Sequence, residues 1–350
     1  MRIDPATIPL PPIYPDNKVV RQDIARYYDN IVVMNSLVGL ILHQLEADGL
    51  MDNTIIFFFS DHGAGLPWFK RELYDRGLHV PFIVRFPDQK GKGSEEEQLH
   101  SFVDLAPTVL SLANVTVPDH IEGQAFLGAG KKESREYIFA ARDRMDEHYD
   151  LVRAVRDKRF KYIRNYQPDK RNYQDLEYRK QMDMMKELLR LHEGGKLNEV
   201  QGRWFTNKPV EELYDTETDP FETKNLANDP AYNEELKRLR VALNSWLRDT
   251  RDKGFMSEKD LISTMWPEGS QPVTDKPEIN FKAQRKGTPG KGVVTINCTT
   301  AGASIGYKTN KDTEWKLYTQ PIEVNEADTI FAKAIRYGFK TNETTKLNTN

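Results

Sequence analysis

The chain has 350 residues, of which 38% are hydrophobic and 29% are charged. That composition is typical of a folded globular protein with room for two domains, and it excludes a disordered chain. The 50 basic and 53 acidic residues leave a net charge of −3 and are mixed along the sequence. No basic field exists that would attract nucleic acid or anionic lipid, so we expect no nucleic-acid partner.

The N-terminal residues show no export signal. The segment 1–5 lacks the apolar core of a signal peptide, and no apolar run approaches the roughly 20 residues that cross a bilayer, so we expect no membrane span. Residues 5–16 are rich in proline and are predicted to form an extended connector, which is an unusual way for a domain to begin. The single cysteine, Cys298, excludes an internal disulfide and a cysteine-cluster metal site.

The first 130 residues alternate between helical and strand patterns. Apolar residues recur at intervals of three and four over residues 21–48, which predicts an amphipathic helix. The continuous apolar run 54–59 predicts a parallel strand covered on both faces, and 80–86 predicts a second strand. Asp104 is expected to cap a helix over residues 105–113. This order is typical of an α/β sheet, but two strands are too few to complete one.

Beyond residue 130 the pattern changes to short strands and charged helices. Segments 137–139, 151–155 and 160–163 predict a small antiparallel sheet, and 233–248 predicts a helix. After a proline-rich stretch, the remaining residues alternate in short strands and predict a separate all-β sandwich module. We therefore divide the chain into domains at 1–130 and 131–270, a linker at 271–290 and the module at 291–350.

The sharpest chemical feature is Ser60-Asp61-His62-Gly63, which directly follows the first apolar run. In an open α/β sheet, ligands bind beyond the carboxyl ends of the strands, so Asp61 and His62 stand where a site is expected. A carboxylate oxygen favours a hard divalent cation such as calcium or magnesium. The alternative is that Asp61 caps the next turn and His62 is a surface residue, and the dipeptide alone does not decide between them.

Lys70 lies on the loop before the second predicted strand. An ammonium group at that place would neutralise a tetrahedral anion or protonate a leaving oxygen, which makes Lys70 the candidate catalytic residue. Most lysines on loops are simply solvated, and the sequence around Lys70 leaves both interpretations open.

The run 52–63, followed by Lys70, Gly77 and Val80-Pro81-Phe82, resembles the second conserved block of type I sulfatases in the alkaline phosphatase superfamily. Residues 103–108 and 212–215 are similar to later landmarks of that family. The resemblance implies an incomplete alkaline-phosphatase-like α/β sheet sandwiched by helices, followed by a small antiparallel C-terminal subdomain.

The resemblance also implies chemistry, that of a sulfuric ester hydrolase acting on a sulfated carbohydrate. Carried over to this chain, Asp61 and His62 are ligands of a calcium ion, and Lys70 contacts the sulfate. Arg142 and His148 fall where relatives often place residues that meet the sugar, although a solvated strand edge with salt bridges is an equally good interpretation. Full-length relatives are usually exported, which implies a periplasmic or extracellular location.

The chain departs from the family at the nucleophile. The family uses a formylglycine made from Cys or Ser in a Cys/Ser-x-Pro/Ala-x-Arg motif, and its hydrate attacks sulfur and releases the alcohol. Neither Cys298 nor any serine begins such a motif here. We therefore expect a C-terminal fragment that is inactive alone, with the formylglycine and the other metal ligands in a missing N-terminal half.

Two other functions stay open at this point. A phosphoryl hydrolase of the same superfamily would use a Ser or Thr nucleophile and usually more metal ligands, on zinc or manganese. A non-enzymatic carbohydrate-binding fragment would need no nucleophile. Residues 291–348 are similar to the small C-terminal β-sandwich of chitobiases and other carbohydrate-active enzymes, on which Trp315 and Tyr318 are either sugar-stacking rings or core residues.

Overall fold

The computed structural model describes residues 3–283 and 290–349, and the chain divides into two compact units, Met1–Asp252 and Lys253–Asn350. The helices of the first unit are α1 (Lys18–Ala47), α2 (Asp75–Leu78), α3 (Leu105–Leu112), α4 (Glu177–Lys180), α5 (Asp183–Glu193), α6 (Glu199–Gly202) and α7 (Asn233–Asp249). Its strands are β1 (Ile56–Phe59), β2 (Phe82–Arg85), β3 (Ile138–Met145), β4 (His148–Arg156), β5 (Phe160–Asn165) and β6 (Glu211–Asp215).

Helix α1, predicted from its periodicity, is anchored only near its N-terminal end. Asn17 caps it by accepting a hydrogen bond from the Val20 N–H at 3.1 Å, and Val20 and Ile24 are buried. Further along, several large apolar side chains are exposed: Val32, Val33, Met34, Leu37, Leu40 and Ile41. By length and composition alone α1 is apolar enough to cross a membrane, so the expected absence of a membrane span stays a prediction.

Strands β1 and β2 pair antiparallel, with Ile56 opposite Arg85 and Phe59 opposite Phe82. The prediction of a parallel strand is therefore wrong. A continuous apolar run indicates coverage on both faces and carries no information on strand direction. The chain between the two strands contains only the four-residue helix α2 and no crossover helix of the length that parallel pairing requires.

The second sheet of this unit is antiparallel in the order β3-β4-β5-β6, and it supplies two cores. On one face, Val155 and Tyr162 pack against α7 through Leu239 and its neighbours. On the other face, Ala154 and Ile163 belong to the cluster that holds the buried ends of α1 and α5. The antiparallel sheet and the helix predicted over residues 233–248 are both present, because short strand-like segments between turns and helical periodicity are local signals.

Asp104 precedes α3 as predicted, but its carboxylate does not cap that helix. It accepts hydrogen bonds from the N–H groups of Ser101 at 3.1 Å and Gln124 at 2.8 Å, and it pairs with Arg135 at 2.5 Å. Burial alone would raise the pKa of Asp104, but the bonds from Arg135 and the two N–H groups lower it. Through its contacts with Gln124 and Arg135, Asp104 links the segment beyond α3 to the start of that helix.

The second unit consists of α8 (Glu258–Met265), β7 (Glu278–Ala283), β8 (Lys291–Asn297), β9 (Ser304–Thr309), β10 (Lys316–Leu317), β11 (Ile322–Asn325), β12 (Thr329–Ile335) and β13 (Thr345–Asn348). The strands form two antiparallel sheets, β10-β9-β12-β13 and β11-β8-β7. The two sheets share one apolar cluster that includes Val294, Ile296 and Ile330. An all-β arrangement was predicted here from the short alternating segments.

The predicted linker 271–290 needs correction. Thr274 is buried and its N–H donates to the Lys340 carbonyl at 2.9 Å, and β7 pairs with β8 along its whole length. Strand β7 was not predicted because the stretch is rich in proline and only two residues of the strand, Ile279 and Phe281, pack against the apolar core. Residues 284–289 of the predicted linker lie outside the described residues. The divisions at 130 and 270 stay predictions.

Candidate active site

A cavity of about 500 Å³ lies in the first unit beside β1 and β2. Its wall comes from the segment after β1, from α2 and β2, from residues 96–105 and from strands β3 to β5. Polar side chains on the wall are Asp61, His62, Asp75, His79, Glu96, Gln98, His100, Ser101, Arg156 and Lys161. Apolar residues such as Phe82 and Phe139 complete it, so the cavity combines a mainly apolar surface with a few converging polar groups, as binding sites do.

Asp61 and His62 lie side by side on this wall, directly beyond the end of β1. The His62 Nδ1 is 2.7 Å from the Gly63 carbonyl oxygen, which can only accept, so Nδ1 is the donor in this hydrogen bond. The His62 Nε2 is 3.5 Å from the Asp61 Oδ2. The Asp61 side chain is 82% exposed and that of His62 36% exposed. Two side chains that can bind a metal ion therefore lie close together and are accessible from the cavity.

These two residues do not make a calcium site by themselves. Calcium takes six to eight ligands, mostly oxygen, and Asp61 and His62 supply one carboxylate and one imidazole. The part of the chain that the structure describes holds no group of three or more His, Cys, Asp or Glu side chains placed to bind a metal ion. The predicted metal ligands are thus adjacent and accessible, but the donor set is incomplete.

The loop that follows His62 is held by a close approach of two backbones. The Gly63 N–H donates to the Gly77 carbonyl at 3.0 Å. A Cβ at Gly63 would lie 1.9 Å from the Arg76 carbonyl oxygen, far inside contact distance. Only glycine fits, so the loop from Gly63 to Gly77 closes tightly and fixes the position of Asp61 and His62.

We expect Gly63→Ala to lower the free energy of unfolding of the first unit by about 3 kcal/mol, because the added methyl group meets backbone and not a movable side chain. Gly65→Ala is the matched control, since Gly65 lies in the same loop with open space around it, and it should change stability by less than about 0.5 kcal/mol. Urea unfolding followed by tryptophan fluorescence measures both. Equal losses would show that the close approach is not what orders the loop.

Lys70 lies on this loop between two residues with left-handed backbone, Trp68 at φ 63° and Arg71 at φ 79°. Trp68 is buried and stacked on Trp204 with ring centroids 5.9 Å apart, and the Arg71 guanidinium donates to Gln174 at 2.7 Å. Strained backbone of this kind persists only where surrounding contacts enforce it. Lys70 is half-buried and does not reach the wall of the described cavity, so its predicted contact with sulfate stays a prediction.

A buried charge cluster forms the floor of the cavity. Lys161 lies 2.5 Å from Asp75 and 2.9 Å from Glu222, and Arg156 pairs with Asp75 at 3.0 Å. Burial opposes ionisation of Asp75, but Lys161 and Arg156 outweigh it and lower its pKa to about 2. For the more deeply buried Glu222, burial dominates and raises the pKa. Both cations are therefore held by carboxylates at the base of the site.

Arg142 is not placed to contact a substrate. Its side chain is 3% exposed and is paired with Glu72 and, at 2.5 Å, with Asp150, which Lys208 also contacts at 2.7 Å. Burial alone would lower the pKa of Arg142, but the two carboxylates raise it. The prediction of substrate binding by Arg142 is wrong because this strand position faces the interior, where a guanidinium needs anionic partners.

His148 starts β4 and is only partly buried. Its Nε2 is 2.7 Å from the Asp175 carbonyl oxygen. It does not line the cavity near Asp61 in the described structure, so its predicted contact with a sugar stays a prediction.

The sequence did not single out Asp75, Arg156 and Lys161 as site residues. Arg156 and Lys161 face each other in the register of the β4–β5 pair, and both line the cavity. The available signal was a pair of basic residues flanking a tight turn. That signal is also typical of a solvated hairpin, so it did not distinguish the two cases.

Solved structures show the same fold. One solved structure holds a protein in complex with D-glucosamine-2-N,6-O-disulfate. It is similar to this chain with a TM-score of 0.52 and 23% sequence identity, and the match covers 68% of this chain and 43% of that chain. The structure of a 2-O GAG sulfatase is similar with a TM-score of 0.51 and 25% sequence identity, and the match covers 67% of this chain and 44% of that chain. The described elements are thus a mixed α/β fold similar to part of the sulfatase fold.

Two family models match overlapping parts of the chain. Residues 7–115 match the sulfatase family, and residues 63–201 match the family described as N-sulphoglucosamine sulphohydrolase, C-terminal. The first match contains Asp61, His62 and Lys70, and the second contains strands β3 to β5 of the antiparallel sheet and ends before β6. Residues 7–201 are thus similar to sulfatases in two overlapping segments.

Curated sulfatases are similar to most of the chain. An ulvan-active sulfatase of Formosa agariphila is 44% identical over 348 residues, which is 97% of this chain and 57% of that protein. Human N-sulphoglucosamine sulphohydrolase is 27% identical over 291 residues, which is 77% of this chain and 56% of that protein. The chain therefore spans little more than half the length of the relatives it matches.

Proposed function

We propose that this chain is part of a sulfuric ester hydrolase that acts on a sulfated carbohydrate. The observation that carries the proposal is the position of Asp61 and His62, which follow β1 directly and lie together on the wall of the cavity. The relatives support the substrate class, because one is an ulvan-active sulfatase and a solved protein of similar fold holds a sulfated glucosamine.

The cofactor we propose is a calcium ion held in part by the Asp61 carboxylate and the His62 Nε2. The remaining ligands and a formylglycine nucleophile would belong to the part of the sulfatase fold that this chain does not span. Exposed apolar side chains on α1 and on the β1–β2 pair support this, since a surface of that kind is normally covered in a folded protein. When bound, calcium would supply fixed positive charge next to the sulfate group.

The chain's own residues have distinct parts in this proposal. Asp61 and His62 fix the cation, and the tight loop from Gly63 to Gly77 holds them in place. Lys70 would bring its ammonium group to the sulfate once the rest of the fold encloses the loop, adding a charge where the leaving oxygen becomes negative. The paired Lys161 and Arg156 form the base of the cavity, and His148 would meet the sugar further out.

For the second unit we propose an accessory module similar to the C-terminal β-sandwich of chitobiases. We further propose that the protein works in the periplasm or outside the cell, where sulfated polysaccharides are met. The described strands are compatible with such a module, with two antiparallel sheets around one core.

The test begins with the coding sequence upstream of Met1. If it encodes a Cys/Ser-x-Pro/Ala-x-Arg motif, the joined chain is expressed together with a formylglycine-generating enzyme. We expect it to hydrolyse 4-methylumbelliferyl sulfate and to lose that activity in a calcium chelator, while the present chain alone shows no turnover. A signal peptide in the same upstream sequence would support export.

Three outcomes would contradict the proposal. The first is turnover of the aryl sulfate by the present chain alone. The second is a joined enzyme that cleaves 4-methylumbelliferyl phosphate but no sulfate ester, which would favour a phosphoryl hydrolase. The third is upstream DNA without any sulfatase sequence, which would favour a non-enzymatic carbohydrate-binding protein.

A further inference from the structure

The four-stranded sheet of the second unit has one face turned away from the core. In β12, Ile330, Ala332 and Ala334 are buried, so the alternate residues Phe331 and Lys333 lie on the opposite face. The same alternation places Lys308 of β9 and Lys346 of β13 on that face, because each stands opposite Phe331 in the register. The residues of the inner face pack in the apolar core of the unit, and those of the outer face do not.

Lysines and aromatic rings alternate across this face. Phe331 is flanked by Lys308 on one neighbouring strand and Lys346 on the other, so one row spans roughly 10 Å at the usual strand spacing. In the next row, Lys333 stands opposite Gly306, and the Trp315 ring lies next to Gly306. The Nζ of Lys333 is 4.4 Å from the centre of the Trp315 ring, and that of Lys308 is 5.6 Å from it.

The charge of these lysines is not neutralised by carboxylates. Over the residues that the structure describes, Lys308, Lys333 and Lys346 form no ion pair. Three other lysines of the same unit do: Lys276 with Glu343, Lys311 with Asp328 and Lys316 with Asp312. By sequence the second unit carries more basic than acidic residues, whereas the whole chain has a net charge of −3. Positive charge is thus concentrated on one sheet face.

We propose that this outer sheet face, made of Lys308, Trp315, Phe331, Lys333 and Lys346, binds the sulfate groups and sugar rings of a sulfated polysaccharide. Lysine ammonium groups are compact charges with three donors each, suited to separate sulfate groups. The half-buried rings of Trp315 and Phe331 offer flat apolar surface between them. Tyr318 packs against the core and takes no part. The choice of a sulfated ligand rests on the proposed function, while the face itself rests on these contacts.

The choice of a sulfated polysaccharide over nucleic acid, which is also a polyanion, rests on the proposed function. The net negative charge of the chain weakens the approach of either polymer outside this one face. Exposed apolar side chains add to the rings on this face, because Leu317 stands opposite Gly306 and Ile335 follows Lys333 by two residues in β12. A linear sulfated sugar polymer can lie along this face, whose charged row crosses the three strands β9, β12 and β13.

The experiment measures binding of dextran sulfate to the present full chain by titration calorimetry at 0.15 M salt, with uncharged dextran and polyglutamate as comparison ligands. The test variant is Lys308→Gln/Lys333→Gln/Lys346→Gln. Its matched control is Lys276→Gln/Lys311→Gln/Lys316→Gln, which removes the same charge from the three paired lysines. A third variant, Trp315→Ala, tests the ring.

We expect the test variant to weaken binding of dextran sulfate by about 20-fold or more, since one lysine near an anionic surface contributes roughly fivefold. The control variant should stay within about threefold, because each lysine that it changes is already paired with a carboxylate. Trp315→Ala should weaken dextran sulfate binding without changing that of polyglutamate. Unchanged melting temperatures would confirm that all variants are folded.

The proposal is overturned if both triple variants lose affinity equally, if polyglutamate binds as tightly as dextran sulfate, or if the unaltered chain does not bind dextran sulfate. Because calorimetry measures binding without any turnover, these outcomes are independent of the hydrolysis assay on the joined enzyme. A failure of the sheet face and a failure of the proposed hydrolase are therefore distinguishable.

Discussion

Replacing Lys161 by methionine is expected to lower the free energy of unfolding of the first unit by about 3–5 kcal/mol, because it leaves two buried carboxylates without their shared cation. Lys161 is 1% exposed and bridges Asp75 and Glu222. The methionine fills a similar volume, so the loss reports the charge and not a cavity. Urea unfolding at pH 7 measures the difference from the unaltered chain.

The control is the double variant Lys161→Met/Glu222→Gln. Removing the negative charge of Glu222 takes away the uncompensated buried charge, so the double variant should recover a large part of the loss. A single variant that loses less than about 1 kcal/mol would mean that water or a neighbouring cation such as Arg156 already compensates the carboxylates.

The same cluster predicts a pH dependence. The pKa of Asp75 is lowered to about 2 from its ordinary value of 3.8, so folding favours the ionised carboxylate. Its contribution is fully present above about pH 4 and is lost as the pH falls toward 2. The stability difference between the unaltered chain and Asp75→Asn should therefore be constant from pH 8 to about 5 and shrink below pH 4. A difference that grows on acidification would contradict the lowered pKa.

Local patterns were enough to predict several elements, but strand direction depends on the whole chain. The periodicity of α1 and α7 and the short strand-like segments of β3 to β5 are properties of adjacent residues, and those elements are present. The antiparallel pairing of β1 with β2 depends on the path of the chain between them, which no local pattern encodes. The strand β7 was missed because prolines and charged residues surround its two inward side chains.

The same distinction explains the candidate site. Asp61 and His62 were found because the end of a strand is a local feature with a general meaning in α/β proteins. Arg142 was misassigned because one of its two carboxylate partners, Glu72, is 70 residues away along the chain, and no local pattern indicates that contact. Lys161 was overlooked for the same reason, since its partner Glu222 belongs to a distant loop.

Substitutions at Asp61 and Lys70 in the joined, formylglycine-bearing enzyme are expected to have the largest effects on activity. Asp61→Asn should lower kcat/KM for an aryl sulfate by roughly 10³-fold, because a calcium ligand of full negative charge becomes a neutral one. Lys70→Met should lower kcat by about 10²- to 10³-fold, as expected for the loss of one charged group next to a leaving oxygen. Steady-state kinetics over a range of calcium concentrations measure both.

The calcium dependence separates the two roles. Raising the calcium concentration should restore part of the activity of Asp61→Asn, since that variant is weakened in metal affinity, and should leave Lys70→Met unchanged, since its ammonium group does not bind the metal. Asp52→Asn and Lys90→Met are matched controls at exposed positions near the same strands, and each should keep activity within about twofold. If Asp61→Asn behaves like Asp52→Asn, the residue is a solvated turn carboxylate and the metal assignment fails. If Lys70→Met retains full kcat with only a raised KM, Lys70 binds substrate without acting on the reacting sulfate, because uniform binding changes KM and not the chemical step.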